Sequence, residues 1–188
     1  MRNFLAIAHL DTFDVVAALH RRHPKHWRPV AARGEVGHPE IGLGASLLLR
    51  GHEGITKENW LHDLPVVDLP DLKTWPSMQL LLNQARDAVM ANDIGKTLLS
   101  GEMARAMVSR LDPGSTIFWH VDDGPYHKRT GRFHAALVTN PGCFLYSQEE
   151  MQHLPQGVLA YFNNHVRHCA ANWGQYPRCH LIFEMYKK

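Results

Sequence analysis

From about residue 100 to the C-terminus the chain is a series of short β-rich runs, and this pattern restricts the fold most. The runs are ARAMVSRL (104–111), STIFWH (115–120), RFHAALV (132–138), GCFLYS (142–147), GVLAYF (157–162) and CHLIFEMY (179–186). Turn signals separate them: Pro113-Gly114, Gly131, Pro141-Gly142, Pro155, Gly157 and Pro177. Short strands at such spacing predict an antiparallel sandwich or barrel. The first half reads differently. Residues 11–22 predict a short amphipathic helix capped by Asp11 or Thr12, with Phe13, Val16, Ala17 and His20 on one face. Residues 77–92 predict a longer helix, capped by Ser77, with an apolar stripe of Leu81, Ala85, Ala88 and Val89. Residues 45–50 (ASLLLR) read as a buried strand ended by Gly51, residues 24–44 as irregular, and 56–76 as an ordered loop or lid. Helices first and strands after give an α+β layout with a mainly β core and the helices packed outside. Nothing in the 188 residues marks a second domain, so 1–188 is expected to be one unit.

Composition removes several function classes. The net charge of +2 argues against a nucleic-acid surface, and Arg21, Arg22, Lys25 and Arg28 read as a solvated helix end. No apolar run nears the roughly 18 residues a membrane span needs, and the N-terminus lacks a signal-peptide pattern. Three cysteines (Cys143, Cys169, Cys179) without CxxC spacing point to a reducing, cytoplasmic setting rather than a disulfide framework. Histidine is the anomaly, at 14 residues. Imidazole is the commonest metal ligand among side chains, so the histidines show where to look.

His120-Val121-Asp122 is the sharpest local feature. Residues i and i+2 of a strand share a face, so this pair can present an imidazole and a carboxylate to one ion. A third ligand must come from another strand, and spacing alone leaves His165 and His168 open. Two histidines and a carboxylate form the facial triad of non-haem iron oxygenases, which keeps positions open for a co-substrate and dioxygen. A dicarboxylate co-substrate would need a buried cation at its far end. Arg178 opens the last strand and suits that task, with Ser109, Arg132 and His134 as further polar contacts. The same ligands would also fit a non-catalytic cupin-like metal-binding module or a zinc-dependent hydrolase, although no HExxH motif is present.

Four ordered pieces, SRLDPGSTIFWHVD (109–122), GRFHAALV (131–138), GVLAYFNNHVRHCAAN (157–172) and PRCHLIFEMY (177–186), resemble the aspartyl/asparaginyl β-hydroxylase-like group of Fe(II)/2-oxoglutarate dioxygenases. The resemblance spans residues 103–186, a little under half the chain, with 1–102 supporting that core. It implies a double-stranded β-helix, also called a jelly roll or cupin-like fold. It implies metal binding by His120 and His168, chosen over His165 because Phe162 stands six residues ahead. It further implies 2-oxoglutarate contacts from Ser109, Arg132, His134 and Arg178. Asp122 stands where the animal β-hydroxylases carry a non-ligating residue, so the chain looks like the branch with a complete triad, bacterial and phage-encoded members included. The implied reaction consumes 2-oxoglutarate and dioxygen, releases succinate and CO2, and hydroxylates an unactivated C–H bond. The substrate would be an amino acid, a peptide or a protein residue. The loop 123–131 is longer than in the animal enzymes, so substrate identity does not carry over. Trp119 and Tyr126 flank the metal motif as candidate substrate-side residues, and Arg50 is a candidate partner for a substrate carboxylate. Asn172 is a candidate to orient a ligand imidazole.

Overall fold

A computed structural model describes residues 3–21, 27–29, 45–52 and 65–188. Most of the segment read as irregular (24–44) lies outside the described residues, as does 56–64 of the segment read as a loop or lid; the rest of that segment, 65–76, is ordered into a short strand, a short helix and the start of a long one. The strands are β1 (Phe4–His9), β2 (Arg28–Pro29), β3 (Ala45–His52), β4 (Val66–Asp68), β5 (Leu99–Leu111), β6 (Thr116–His120), β7 (Thr130–Val138), β8 (Cys143–Ser147), β9 (Glu150–Gln152), β10 (Val158–Phe162), β11 (His168–Asn172) and β12 (Arg178–Lys187). The helices are α1 (Phe13–His20), α2 (Pro70–Lys73), α3 (Pro76–Ala91), α4 (Asp93–Leu98) and α5 (Pro125–Lys128).

Two antiparallel sheets face each other. The larger runs β1-β10-β7-β12-β5-β3-β2, with β4 paired to β3; the smaller runs β6-β11-β8-β9. This is the expected mainly β, jelly-roll core with helices outside. Alternation along each strand divides the labour. On β12, Cys179, Leu181, Phe183 and Met185 face the helical side and pack with Met78, Leu81, Ala85 and Val89 of α3. Arg178, His180 and Glu184, of opposite parity, point between the sheets. There a smaller apolar cluster of Leu111, Ala136, Leu145, Ala160 and Ala170 joins the sheets.

Several local expectations shift. The buried face of α1 is Val15 and Leu19, while Phe13 is 75% exposed, because the helix docks one position round from the predicted stripe. The Asp11 carboxylate accepts from the Phe13 N–H at 3.0 Å. Helix α3 begins with Pro76 at its first position and Trp75 as N-cap, so Ser77 lies inside it. Strand β3 runs through Gly51 to His52. Ahead of β10, Gly157 adopts φ +82, and a Cβ there would meet the His9 ring at 2.5 Å. Glycine therefore lets the turn close against β1.

Phe133 carries the clearest stability prediction. It is fully buried between Arg132 and His134 on β7, and its ring stacks on Phe183 at 5.3 Å. Phe133→Ala is expected to cost about 3–5 kcal/mol, read as a lowered midpoint in urea with m unchanged.

Candidate metal centre

Strand pairing creates the site. His168 on β11 lies opposite His120 on β6, and their rings stand 4.2 Å apart. Strand β6 ends at His120, so Asp122 comes from the segment just beyond, anchored by its N–H to the Asn164 carbonyl at 3.1 Å. The ligand atoms of His120, Asp122 and His168 all lie within 4.8 Å of one another. Each imidazole is aimed by its own backbone: Nδ1 of His120 meets the Phe118 carbonyl at 2.7 Å, and Nδ1 of His168 meets that of Val166 at 2.8 Å. Donation from Nδ1 leaves Nε2 unprotonated and facing the cluster. Asn172, expected to orient a ligand, instead staples the other end of β11. Its Nδ2 donates to the Leu111 and Tyr176 carbonyls at 2.9 and 2.8 Å.

The larger sheet supplies a buried polar floor. Arg178 is 1% exposed, and its Nη2 rests 2.8 Å from Nδ1 of His180. Its Nη1 is buried with no hydrogen-bond partner, and so is Nε2 of His134. Ser109 pairs with Ser46 on one side and His180 on the other, so buried hydroxyls line the same face. Burial lowers the Arg178 guanidinium to about 10, which leaves it charged at neutral pH. Among the described residues no carboxylate answers that charge. A buried cation in this state costs free energy unless an anion joins it.

Arg132 is engaged differently from the contact expected of it. Its guanidinium joins Glu184 (Nη2–Oε1 2.7 Å) to the Asp122 carboxylate. Glu184, Arg105 and His127 carry no site role in the sequence reading, yet all three stand here. Glu184 also accepts from Arg105 at 2.8 Å, and Nε2 of His127 lies 4.0 Å from Asp122 Oδ1. The signal for Glu184 was its parity with Arg178 and His180 on an otherwise apolar strand. His127, on the short helix α5, had none.

The candidate substrate residues are dispersed. Tyr126 donates to Glu184 at 2.9 Å, which ties α5 to the sheet. Trp119 lies on the outer face of β6, 43% exposed, with Arg167 over its ring. Arg50 is ion-paired with Asp68 and lines a cavity of about 1270 Å3 that includes none of the triad. A smaller hollow of about 330 Å3, lined by Asp122, Asp123, Lys128, His165 and Lys187, borders the metal ligands.

Electrostatics ready the ligands. Burial alone would raise the Asp122 carboxyl, but the Arg132 guanidinium, with His127 and His168, holds it well below the usual carboxylate range. Burial, assisted by His120, pushes His168 down to about 4. Burial and then Arg178 push His134 and His180 far down as well. These rings are neutral when folded and gain protons on unfolding once the pH drops below about 6.5. The unfolded state then binds more protons, so stability falls with pH from about 6.5 towards 4. His168 alone contributes roughly 3 kcal/mol over that span. Urea titrations of metal-free protein at pH 7.5 and 5 are expected to show the loss. Equal midpoints would contradict it.

Comparison with known proteins agrees with this geometry. A family model described as aspartyl/asparaginyl β-hydroxylase matches residues 56–188. The chain belongs to the aspartyl/asparaginyl β-hydroxylase family. No curated protein sequence matches it. Among solved structures, it is similar to an oxidoreductase of the 2OG-Fe(II) oxygenase family from Burkholderia pseudomallei, at TM-score 0.63 and 14% identity over 98% of this chain and 85% of that one. It is similar to a Pseudomonas putida prolyl-4-hydroxylase, at TM-score 0.60 and 14% identity over 100% and 94%. A Trichoplax adhaerens prolyl hydroxylase, solved with a peptide fragment of hypoxia inducible factor, matches at TM-score 0.61 and 11% identity over 98% and 83%. At these identities the structural matches establish the shared fold. Family membership adds the chemistry: this β-hydroxylase relative is an Fe(II)- and 2-oxoglutarate-dependent oxygenase.

Proposed function

We propose that this family member binds Fe(II) at His120, Asp122 and His168 and uses 2-oxoglutarate to hydroxylate an unactivated C–H bond of an amino acid residue. The observation that carries the reading is the pairing of that triad with the buried, unanswered charge of Arg178. The residues fit both groups. Two imidazoles and one carboxylate suit Fe(II) and leave coordination positions open. Arg178 Nη1, His134 Nε2 and the Ser109 hydroxyl suit a dicarboxylate. When bound, the metal and 2-oxoglutarate would supply the electrons that activate dioxygen for attack on a C–H bond, the 2-oxoglutarate leaving as succinate and CO2.

The chain's own residues bind and orient. Arg178 would pair with the far carboxylate of 2-oxoglutarate, and Ser109 would donate a hydroxyl beside it. His134 would present Nε2 to the co-substrate from the floor of the site. Phe162, 5.0 Å from the His168 ring, helps exclude water from the inner side. The hollow beside Asp122 and Asp123 is where a substrate would approach, passing Lys128 and Lys187. A peptide or protein residue is the favoured substrate. The Trichoplax relative was solved with a peptide, and a hollow open to the surface admits one chain segment. The three cysteines are free, which fits the reducing setting of a cytoplasmic enzyme; no helix of the described residues is long and apolar enough to cross a membrane.

The test is an anaerobic titration of the protein with Fe(II) and 2-oxoglutarate. The visible charge-transfer band of the chelate is expected to rise and saturate. Metal binding without that band, even at high 2-oxoglutarate, would refute the oxygenase reading and favour a metal-binding module or a hydrolase.

A further inference from the structure

Glu184 is a carboxylate 1% exposed that the chemistry above leaves without a task. It accepts two hydrogen bonds from Arg132, from Nε at 3.0 Å and Nη2 at 2.7 Å, both on Oε1. It accepts two from Arg105, on Oε2 at 2.8 Å and Oε1 at 3.1 Å, and one from Tyr126 on Oε2 at 2.9 Å. The remaining nitrogen of Arg132, Nη1, is paired with Oδ2 of Asp122. The Asn164 amide donates to that same oxygen at 3.1 Å. Oδ1 of Asp122 is left without a hydrogen bond among the described residues, 3.9 Å from Nε2 of His120 and 4.0 Å from Nε2 of His127, while Oδ2 lies 3.8 Å from Nε2 of His168. The four charged side chains, Asp122 and Glu184 against Arg105 and Arg132, sum to zero.

We propose that Glu184 is a positioning residue for the metal: acting through Arg132, it occupies Oδ2 of Asp122 and leaves Oδ1 as the oxygen presented to the ion. A guanidinium is a rigid planar fork, so fixing its Nε/Nη2 edge fixes where Nη1 points. Glu184 takes that edge. Nη1 and Asn164 then hold Oδ2, and the carboxylate cannot rotate to chelate with both oxygens or turn away. Glu184 also supplies the second counter-charge to Arg132. Without it, an unshared cation would stand beside a dication and compete with it for Asp122. Arg132 is therefore held at both edges, and its Nη1 serves the ligand carboxylate. Tyr126 extends the hold to α5, three residues beyond Asp123, so one buried anion ties the ligand segment to the sheet.

The inference rests on the triad being the metal site, and the experiment separates the two. Co(II) serves as the probe, since its visible bands report ligand number and geometry. Its affinity and spectrum are measured for wild type, Glu184→Gln, Arg132→Gln, the double variant and His168→Ala, each checked for folding by circular dichroism. Glu184→Gln is expected to weaken Co(II) by about tenfold or more, the scale of an outer partner of a metal ligand, and to shift its bands. In the Arg132→Gln background the same change is expected to do nothing further. Wild-type affinity and spectrum in Glu184→Gln would overturn the inference. So would an undiminished loss in the Arg132→Gln background, because Glu184 would then act by another route. If Glu184→Gln alone does not fold, the charge-balanced double variant decides: affinity equal to that of Arg132→Gln supports the inference, and weaker binding overturns it. Co(II) binding that His168→Ala does not diminish would remove the metal site itself, and the inference with it.

Discussion

Replacing Arg178 with methionine is expected to abolish 2-oxoglutarate binding while leaving Fe(II) binding intact. Methionine keeps the apolar stem and removes the guanidinium. A carboxylate that enters the same space then loses the buried cation that answers it. Such a truncation costs about 2–5 kcal/mol, which is a roughly 30- to several-thousand-fold weaker Kd. In the anaerobic titration the chelate band would be missing at co-substrate concentrations that saturate the wild type. Stability supplies a second readout of opposite sign. In the ligand-free protein Arg178 is a buried charge with Nη1 unpartnered, so removing it should hold or raise the unfolding midpoint. A variant that unfolds more easily and still binds 2-oxoglutarate would show that Arg178 is a packing residue.

His168→Ala should remove the metal. It deletes one of three ligands, an effect expected to exceed the 10–100-fold seen for outer partners. Asp122→Ala should do the same, with its fold preserved because Arg132 keeps Glu184 as counter-ion. Both variants are expected to lose succinate production entirely. Isothermal titration with Fe(II) under nitrogen separates metal loss from a later defect. Wild-type affinity in either variant would mean that another group, such as His127 with its Nε2 4.0 Å from Asp122 Oδ1, holds the ion.

Much of this arrangement could be read in the chain, for identifiable reasons. Strands such as β7 and β12 announce themselves through period-two alternation of large apolar residues, because one face must pack on helices. His120 and Asp122 were readable through their i, i+2 spacing, whereas spacing left His165 and His168 open and only the family resemblance, with Phe162 six residues ahead, pointed to His168. Strand β11 (HCAAN) escaped notice because its inward residues are small and carry little periodic signal. Strand β1 escaped because it is a half-exposed edge. Asn172 was misjudged since its partners, Leu111 and Asn140, are remote in sequence. The ion pairs of Arg132 with Glu184 and Asp122 were not readable, because they depend on the register that sets Glu184 of β12 opposite Arg132 of β7. The phase of α1 was wrong because amphipathic periodicity fixes a stripe only to within one position, and docking chooses among neighbours.

The two ligand imidazoles are oriented by backbone carbonyls two residues upstream, Phe118 on β6 and Val166 in the turn that leads into β11. Backbone groups do not change when side chains are substituted. The aim of both rings is therefore inherited from the backbone path, and substitutions around the pocket can accumulate without spoiling it. The carboxylate has no such protection, since its hold depends on the side chains of Arg132, Asn164 and Glu184. A lineage that lost this hold would retain two well-aimed imidazoles and a slackened third ligand. The acid is thus the arm of the triad most open to evolutionary replacement.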